Sequence, residues 1–575
     1  ANAYVNYTKT FAKKHNLNVM AGVNAEEEEY KYLYGTRNVM YDQEGYPELN
    51  MAGKDGQDLS WNHTSRASAG YFGRINYDYK GIYLLELNGR YDGSSRFPHT
   101  DQWAFFPSAS IGYRFSEEAY FAPLKHIVSN GKLRASFGEI GNEAVGDYMF
   151  EQLISQRLNN KSTGYIYWIE NNNANANLLT MYNMPDLVSS TLTWERIRTL
   201  NIGLDLGLLN DELTIGFDWF QRENRDMLAP AQVLPNTLGA SAPYENAGTL
   251  RTRGWELNLN WRHTFGDFDV YANFNIGDSK TKVTKWDNDS KLLSTYYTGK
   301  TYGDIFGFET DRYFEEKDFT SQNADGSWNY ANGIASQAGL ESGNFHYGPG
   351  DVKFKDLDGN GKIDGGKGTA DDHGDLKVIG NSMPRYEYSF HLGGAWKGID
   401  LDLYFQGVGK REDWTTSSLN LPAMVHADVA IYSHQTSYNK VLWNSDYTAI
   451  TGYEVNQGNR YPRLYRGTNN SGGTVSGIAN GCNNYYPQSR YLTDMSYLRL
   501  KNVTVGYTLP KEWTRKAYIE KARIYFSGSN LFLLHKGNDL PVDPEISTGN
   551  GLTAGGWGRI APITRTFSFG VQVTL

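Results

Sequence analysis

The sequence has 575 residues, a formal net charge of −9 at pH 7 and one cysteine, Cys482. The negative charge argues against a general nucleic-acid-binding protein. A single cysteine excludes both an intrachain disulfide framework and a cysteine-rich zinc site. High counts of glycine (61), tyrosine (42) and phenylalanine (26) favour strands and turns over helices. No run of about 18 apolar residues is present, so the sequence predicts no transmembrane helix.

Strict alternation of apolar and polar residues is the dominant pattern, and it predicts β-strands with two different faces. In chain order, the clearest predicted strands cover residues 1–7, 83–91, 200–206, 213–219, 255–261, 268–276, 401–406 and 566–575. In the last of them, every apolar residue from Phe567 to Leu575 is separated from the next by one polar residue or glycine. We count about fifteen such segments, each near the ~10 residues that cross a bilayer as a tilted strand.

Short turns and long polar stretches alternate between these predicted strands. The long stretches cover about residues 142–192, 284–384 and 408–494, whereas residues 208–212 and 396–399 form short turns. Short turns at one end and long extracellular loops at the other are typical of outer-membrane β-barrels. A soluble β-sandwich or solenoid also alternates, but the many charges on the polar face favour a barrel with a wet interior. The sequence therefore predicts a single barrel domain over residues 1–575.

Several short motifs occur in a fixed order along most of the chain. They are 90–97 (RYDGSSRF) with 106–114 (FPSASIGYR); 133–138 (LRASFG) with 141–142 (GN); 350–356 (GDVKFKD) with 361–364 (GKID), 378–381 (VIGN) and Pro384; and 497–507 (YLRLKNVTVGY) with 528–532 (GSNLF). Together they resemble the SusC-like TonB-dependent outer-membrane transporters of Bacteroidota (the SusC/RagA family). The resemblance covers the C-terminal barrel portion of such a transporter.

The resemblance implies an all-β, transmembrane antiparallel barrel that is the C-terminal part of a barrel of about 22 strands. The family's signal peptide, small N-terminal domain, TonB box and plug domain are not recognised in this sequence. It also implies an active importer of oligosaccharides or oligopeptides in the outer membrane of a Gram-negative, Bacteroidota-like bacterium. The implied partners are a SusD-like lipoprotein that acts as a lid, the TonB complex acting through the missing plug, the lipid membrane, and a second transporter–lipoprotein pair in a dimer.

Residues 356–364 (DLDGNGKID) match most of a calcium-binding loop. In this motif the oxygens of alternate residues and one backbone carbonyl surround a hard cation. Lys367 replaces the closing acid, so Asp371 or Asp372 would have to complete the shell. The predicted ligands are Asp356, Asp358, Asn360, the carbonyl of Lys362, Asp364 and Asp371. A Gly- and Asx-rich turn without metal is the alternative, and any bound Ca²⁺ would be structural.

Aromatic residues in the long loops are candidate ligand contacts, because aromatic faces pack against sugar rings and anchor peptide side chains. Packing within the loops or in an interfacial girdle is the alternative for each of them. The predicted substrate-binding residues are Trp168, Tyr296, Tyr297, Trp414, Tyr485 and Tyr486.

The sequence does not support an enzymatic function. The zinc-protease, nucleophile-elbow, phosphate-loop and dinucleotide-binding motifs are all missing, and no enzyme is predicted. Two other functions stay open beside active import. A passive porin would need a closed barrel from this chain alone, and a surface carbohydrate-binding β-protein would need no membrane.

Overall fold

The computed structural model describes residues 1–37, 48, 52–53, 57–152, 154, 156–158, 180–182, 185, 187–189, 192–230, 243–342, 345–414, 419–422, 431–464, 483–545 and 563–575. Strands dominate these residues. In chain order they are β1 (Asn2–Phe11), β2 (His15–Thr36), β3 (Asp58–Tyr79), β4 (Tyr83–Ser94), β5 (Trp103–Tyr113), β6 (Val128–Asn142), β7 (Gln156–Leu158), β8 (Thr180–Tyr182), β9 (Glu195–Leu208), β10 (Leu213–Pro230), β11 (Tyr244–Phe265), β12 (Phe268–Trp286), β13 (Asp304–Phe308), β14 (Thr310–Tyr313), β15 (Phe319–Gln322), β16 (Trp328–Tyr330), β17 (Val352–Phe354), β18 (Leu376–Asn381), β19 (Arg385–Trp396), β20 (Ile399–Lys410), β21 (Glu412–Asp413), β22 (Lys440–Trp443), β23 (Ile450–Glu454), β24 (Thr493–Asp494), β25 (Tyr497–Thr508), β26 (Lys521–Lys536) and β27 (Thr566–Thr574).

Helices are short and few in the described part of the chain. One α-helical turn, α1, covers Lys511–Thr514. The 3₁₀ segments are Phe115–Glu117, Ala119–Leu124, Glu316–Asp318, Ala338–Leu340, Ser433–Gln435, Asn483–Tyr485 and Arg515–Ala517. Among the described residues, no helix has both the length and the apolar character needed to cross a membrane.

One antiparallel sheet of 15 strands organises the molecule, in the order β1-β2-β3-β4-β5-β6-β9-β10-β11-β12-β19-β20-β25-β26-β27. Each strand pairs with the sheet strand that precedes it and the one that follows it in the chain, as in a meander. Within the described residues, β1 and β27 are the two edges. The predicted all-β antiparallel architecture is confirmed.

The two ends of this sheet differ in the length of their connections. At one end, here called the short-turn end, β1–β2, β3–β4, β9–β10, β11–β12 and β19–β20 are joined by a few residues each. At the other, the long-loop end, residues 143–194, 287–384 and 411–496 separate successive sheet strands. All the long connections therefore meet on one side of the sheet, where they can pack together.

The two faces of the sheet differ in polarity, as the alternation requires. On β9 and β10, Ile202 lies opposite Trp219 and Leu204 opposite Phe217. Residues directly opposite each other in an antiparallel pair share a face, so these four form part of an apolar face. Ile202 is 49% exposed. The opposite face carries Asp205 and its neighbours, so we call it the polar face.

Candidate functional site at the long-loop end

The described residues of 287–384 and 411–496 pack together into one unit, here called the loop body. Its core draws buried side chains from both segments, which come from opposite sides of the β19–β20 hairpin in sequence. The core consists of Phe308, Tyr313, Phe314, Phe319, Leu340, Phe345, Tyr347, Val352, Phe354, Ile363, Leu421, Tyr461, Tyr485 and Tyr491. The two long loops therefore form a shared hydrophobic core and not two separate loops.

A buried ion pair links the two segments of the loop body. Asp351 is fully buried, at 0% exposure, and the Arg463 Nε atom donates to its carboxylate at 2.8 Å. Asn484 Nδ2 donates to Asp351 Oδ1 at 2.8 Å, while Asn484 Oδ1 accepts from the backbone N–H of Val352 at 2.8 Å. A carboxylate so far from water is stable only when such partners satisfy it. This network therefore joins Asp351 of the first segment to Arg463 and Asn484 of the second.

The loop body joins the sheet through a pair of short strands, in which Asp413 on β21 lies opposite Thr493 on β24. Asp413 is buried, and burial raises the pKa of its carboxyl to about 6, against the opposing effect of Arg411. Arg411 Nη2 lies 2.9 Å from Asp413 Oδ2. This carboxyl therefore ionises in a higher pH range than a surface aspartate.

The predicted calcium loop forms a compact turn on the loop body. The carboxylate of Asp356 accepts the backbone N–H groups of Gly359 at 2.7 Å and Gly361 at 2.9 Å. Both glycines have positive φ, +75° and +80°, a region that side-chain-bearing residues rarely adopt. Asn360 and Asp364 likewise accept backbone N–H groups of nearby turn residues. Hydrogen bonds from its own backbone therefore order this loop.

Asp371, the acid predicted to complete the cation site, does not lie with the other predicted acids. Asp371 instead pairs with Lys291 at 2.8 Å, and its side chain is 73% exposed. The carboxylate that joins Asp356 and Asp358 is Asp375, and one oxygen from each of the three lies within 4.8 Å of the others. Asp375 also accepts the N–H groups of Leu357 and Asp364 at 2.6 and 2.9 Å. Convergent carboxylate oxygens suit Ca²⁺, and occupancy stays a prediction.

Replacing Asp356 and Asp358 together with alanine is expected to abolish any calcium bound at this loop. Loss of two carboxylate ligands removes most of the charge that such a site offers a hard cation. Elemental analysis of the purified full-length protein and protease resistance of the loop body are the readouts. Asp371→Ala is the matched control and should change neither. Unchanged calcium content in the double variant would show that this loop is a metal-free turn.

Among the described residues, the predicted aromatic contacts fall into two groups with different packing partners. Tyr485 is only 1% exposed, inside the loop-body core, which corrects its predicted role because a buried ring has no face for a ligand. Trp414 and Tyr486 pack against the same core. Tyr296 packs between Trp286 and Tyr302, and Lys300 Nζ lies 5.7 Å from the Tyr297 ring centroid. Trp168 lies outside the described residues.

On the polar face of the sheet, one arginine spans three strands. Arg134 on β6 lies opposite Gly203 on β9, and Gly203 in turn lies opposite Asp218 on β10. The guanidinium passes over the glycine and donates to Asp205 at 2.9 Å and to Asp218 at 2.7 Å. A Cβ atom at residue 203 would lie 2.5 Å from Arg134 Cζ. Glycine is therefore what lets the arginine reach both carboxylates.

The same arrangement recurs four strands away. Tyr271 on β12 lies opposite Gly393 on β19, which lies opposite Asp402 on β20. The Tyr271 hydroxyl donates to Asp402, and His391 Nε2 lies 2.6 Å from the same carboxylate. Nearby on β11, β12, β19 and β20, a cavity is lined by the polar side chains Asn258, Asn275, Ser389 and Gln406 together with the acids Glu256 and Glu387. A face rich in charged and hydrogen-bonding side chains suits the passage of hydrated polar molecules.

Substituting Gly203 with alanine is expected to lower the temperature at which the folded barrel denatures in detergent. The added methyl group displaces the Arg134 guanidinium and leaves two carboxylates on the polar face without their partner. Gly216→Ala is the matched control, because a Cβ there would meet no atom closer than 3.8 Å. Heat-dependent gel mobility of the full-length protein measures both variants. Equal denaturation temperatures for the two would contradict the role assigned to Gly203.

Sequence reasoning did not find Asp351, Asp375 or Gly203. Asp351 lies in the recognised motif of residues 350–356, and Asp375 follows the calcium-like loop, but neither could be given a role because their partners lie elsewhere in the chain. Gly203 stood within a recognised alternating strand, where a glycine on the polar face was a usable but unused signal of close approach.

The fold and the polar face together define a class of protein. A long antiparallel meander with one apolar face, one polar face and all its long loops at one end is the wall of a large β-barrel of the outer-membrane type. Comparison with known families narrows the class. Residues 1–371 match the family described as TonB dependent receptor-like, beta-barrel. The chain belongs to this family.

Similarity to named TonB-dependent receptors supports the assignment of the chain to this family. The chain is 27% identical to TonB-dependent receptor P3 of Formosa agariphila over 99% of this chain and 51% of that protein. It is 25% identical to TonB-dependent receptor SusC of Bacteroides thetaiotaomicron over 95% of this chain and 48% of that protein. The chain therefore spans about half the length of these relatives.

Solved structures show the same fold. A chain of the RagAB peptide transporter superposes with a TM-score of 0.69 at 18% identity, over 96% of this chain and 53% of that one. The RagAB peptide importer in its open-open state gives 0.68, over 100% of this chain and 54% of the other. The resemblance to the SusC/RagA family inferred from sequence motifs is confirmed.

Proposed function

We propose that this chain forms the barrel wall and extracellular loops of a TonB-dependent active importer in the outer membrane of a Bacteroidota-like bacterium. Membership of the TonB-dependent receptor barrel family carries the proposal. The cargo is an oligosaccharide or an oligopeptide, the classes suggested by the resemblance to SusC and to the RagAB peptide transporter. The charged and hydrogen-bonding side chains of the polar face favour a hydrated cargo of this kind.

In the proposed mechanism, a SusD-like lipoprotein covers the long-loop end, and cargo is held between this lid and the loop body. Cargo then passes along the polar face when the TonB complex rearranges a plug inside the barrel. Pairs of transporter and lipoprotein form dimers. The reaction is transport, without covalent chemistry, and nucleic acid has no part in it.

Uptake by intact cells tests the proposal. The gene for the full-length protein is deleted in its native host, and uptake of labelled oligosaccharide and peptide mixtures is followed with TonB either active or inactivated. Deletion of the gene is expected to reduce uptake of one cargo class to background. Inactivation of TonB in cells that keep the gene is expected to have the same effect. Uptake that survives TonB inactivation would indicate a passive porin. Unchanged uptake after gene deletion would favour a surface binding protein.

A further inference from the structure

The apolar face of the sheet changes character toward the long-loop end of its central strands. Along β10, Phe217 and Trp219 belong to the apolar face, and Trp219 lies opposite Trp255 of β11. Beyond the two tryptophans, the same side of β10 continues with Glu223 and Arg225. Aromatic girdles border the lipid-facing band of outer-membrane barrels. The change from apolar to charged side chains therefore marks the outer border of that band.

Basic side chains from four neighbouring strands gather just beyond this border. Arg253 lies opposite Lys280, and Arg251 lies opposite both Lys282 and Glu223. Residues that lie opposite each other share a face and are about 5 Å apart, while alternate residues of one strand are about 7 Å apart. The set, here called the basic patch, consists of Arg196 and Arg198 on β9, Arg225 on β10, Arg251 and Arg253 on β11, and Lys280 and Lys282 on β12.

Two buried carboxylates hold part of the basic patch in place. Glu223 forms ion pairs with Arg225 at 2.6 Å and with Arg251 at 2.7 Å. Glu139 on β6 pairs in the same way with the two arginines of β9. Each carboxylate thus meets two guanidinium groups, so the paired part of the patch keeps an excess of positive charge. These ion pairs also orient the arginines before any ligand binds.

The other three members of the patch add charge that no carboxylate balances. Arg253, Lys280 and Lys282 are exposed, and none of them forms an ion pair with any residue that the structure describes. Arg253 Nε donates to Gln221 Oε1 at 2.8 Å, which is a contact with a neutral group. The chain as a whole has a net charge of −9, so composition alone does not account for a positive surface here. Such a surface complements an anionic partner.

We propose that the basic patch binds the phosphate groups of lipids in the outer leaflet of the outer membrane, with their acyl chains against the adjoining apolar face. Arginine and lysine are the side chains that bind phosphate best, because their N–H groups form charge-assisted hydrogen bonds with its oxygens. Basic clusters directly beside a membrane-spanning surface bind anionic lipid headgroups. The inference rests on the proposed function, which places the chain in that membrane with its long-loop end outside.

Binding of a phosphorylated lipid by the full-length protein tests the assignment. The protein is purified in an uncharged detergent and titrated with lipid A that carries both of its phosphates. In the triple variant Arg253→Gln, Lys280→Gln, Lys282→Gln, we expect the affinity for lipid A to fall roughly tenfold or more, because three cationic contacts with phosphate are lost. These residues hold no carboxylate among the described residues, so the variant should fold. Unchanged affinity in this variant would overturn the proposal.

The matched control removes the same charge from the opposite end of the sheet. Lys13, Lys14 and Lys80 lie in the turns of the short-turn end and are exposed. The triple variant Lys13→Gln, Lys14→Gln, Lys80→Gln should bind lipid A as the unaltered protein does. An equal loss of affinity in this variant would show that net charge and not the basic patch governs binding, and would overturn the proposal.

Two further titrations identify the group that is bound. Lipid A from which both phosphates have been removed should bind to the unaltered protein at least about tenfold more weakly than the phosphorylated form. Equal binding of the two forms would show that the acyl chains alone account for the affinity. Inorganic phosphate at the same concentration should not displace the lipid. If it does, the patch is a site for free anions, and the lipid assignment is overturned.

A separate measurement distinguishes failure of this inference from failure of the proposed function. Heat-dependent gel mobility of outer-membrane fractions shows whether the full-length protein is a membrane barrel. If it is a barrel there but binds lipid A no better than the Arg253, Lys280, Lys282 variant does, the basic patch has no lipid role and the importer proposal stands. If the full-length protein is missing from the outer membrane, the proposed function fails, and the lipid site fails with it.

Discussion

Replacing Asp351 with alanine is expected to unfold the loop body while the sheet remains assembled. Asp351 is fully buried and holds Arg463 and Asn484 across the two long segments. Removing one partner of a buried ion pair typically costs about 3–5 kcal/mol, because the other charge stays buried and unpaired. That loss is comparable with the whole stability of many small folded units. Limited proteolysis of the full-length protein should show new cleavage within residues 287–384 and 411–496.

The control for this prediction is an ion pair on the surface of the same unit. Lys440 and Glu454 lie 3.4 Å apart and are both exposed, and such pairs contribute about 0–1 kcal/mol. Lys440→Ala should therefore leave the cleavage pattern unchanged. If Asp351→Ala is as resistant to protease as Lys440→Ala, the buried network does not hold the loops together. We expect Asp351→Ala, unlike Lys440→Ala, also to abolish uptake, since cargo is proposed to bind against the loop body.

Replacing Ile202 with arginine is expected to prevent assembly of the protein in the outer membrane. Ile202 lies on the apolar face of β9, several residues from its short-turn end. A charged arginine facing lipid near the bilayer midplane costs about 2–4 kcal/mol in such barrels. Loss of the folded, heat-modifiable form from outer-membrane fractions is the measurement.

The neighbouring residue provides the matched control, because it points to the opposite face of the same strand. Asn201 adjoins Ile202 in sequence and lies on the polar face, opposite Ser136 of β6. Asn201→Arg places the same charge in a hydrated environment beside Asp218, which Asn201 contacts, and it should assemble normally. Equal assembly of the two variants would contradict the assignment of faces. Failure of both would indicate that β9 tolerates no bulk at all.

Much of the fold follows from local sequence patterns. Alternation in residues such as Leu200 to Leu206 predicted strands that the structure confirms, because side chains on an extended backbone must alternate between faces. The positions of the long connections could also be predicted, since turn-forming and polar residues interrupt the alternation. Gly203 illustrates the limit. Its strand was predicted, but its purpose depends on an arginine some seventy residues earlier in the chain.

The candidate site was harder to predict from the sequence. The calcium motif predicted Asp356 and Asp358 together, which the structure places within reach of each other. The closing acid was predicted as Asp371, whereas Lys291 holds that side chain at the surface and Asp375 takes the inner position. Tyr485 was taken for a ligand contact, although it packs in the core. In each case the deciding contact is long-range, and exposure cannot be read from residue type alone.

The strands, their two faces, the asymmetry of the two ends and the family could all be predicted from local sequence patterns. These properties depend on the two-residue repeat of an extended backbone and on motifs within single segments. Long-range contacts establish that the described residues of two long loops share one core, and which aromatic side chains are buried there. Those features depend on contacts such as that between Asp351 and Asn484, which are 133 residues apart in sequence. Contacts at such separations form only when the sheet brings the loops to the same end.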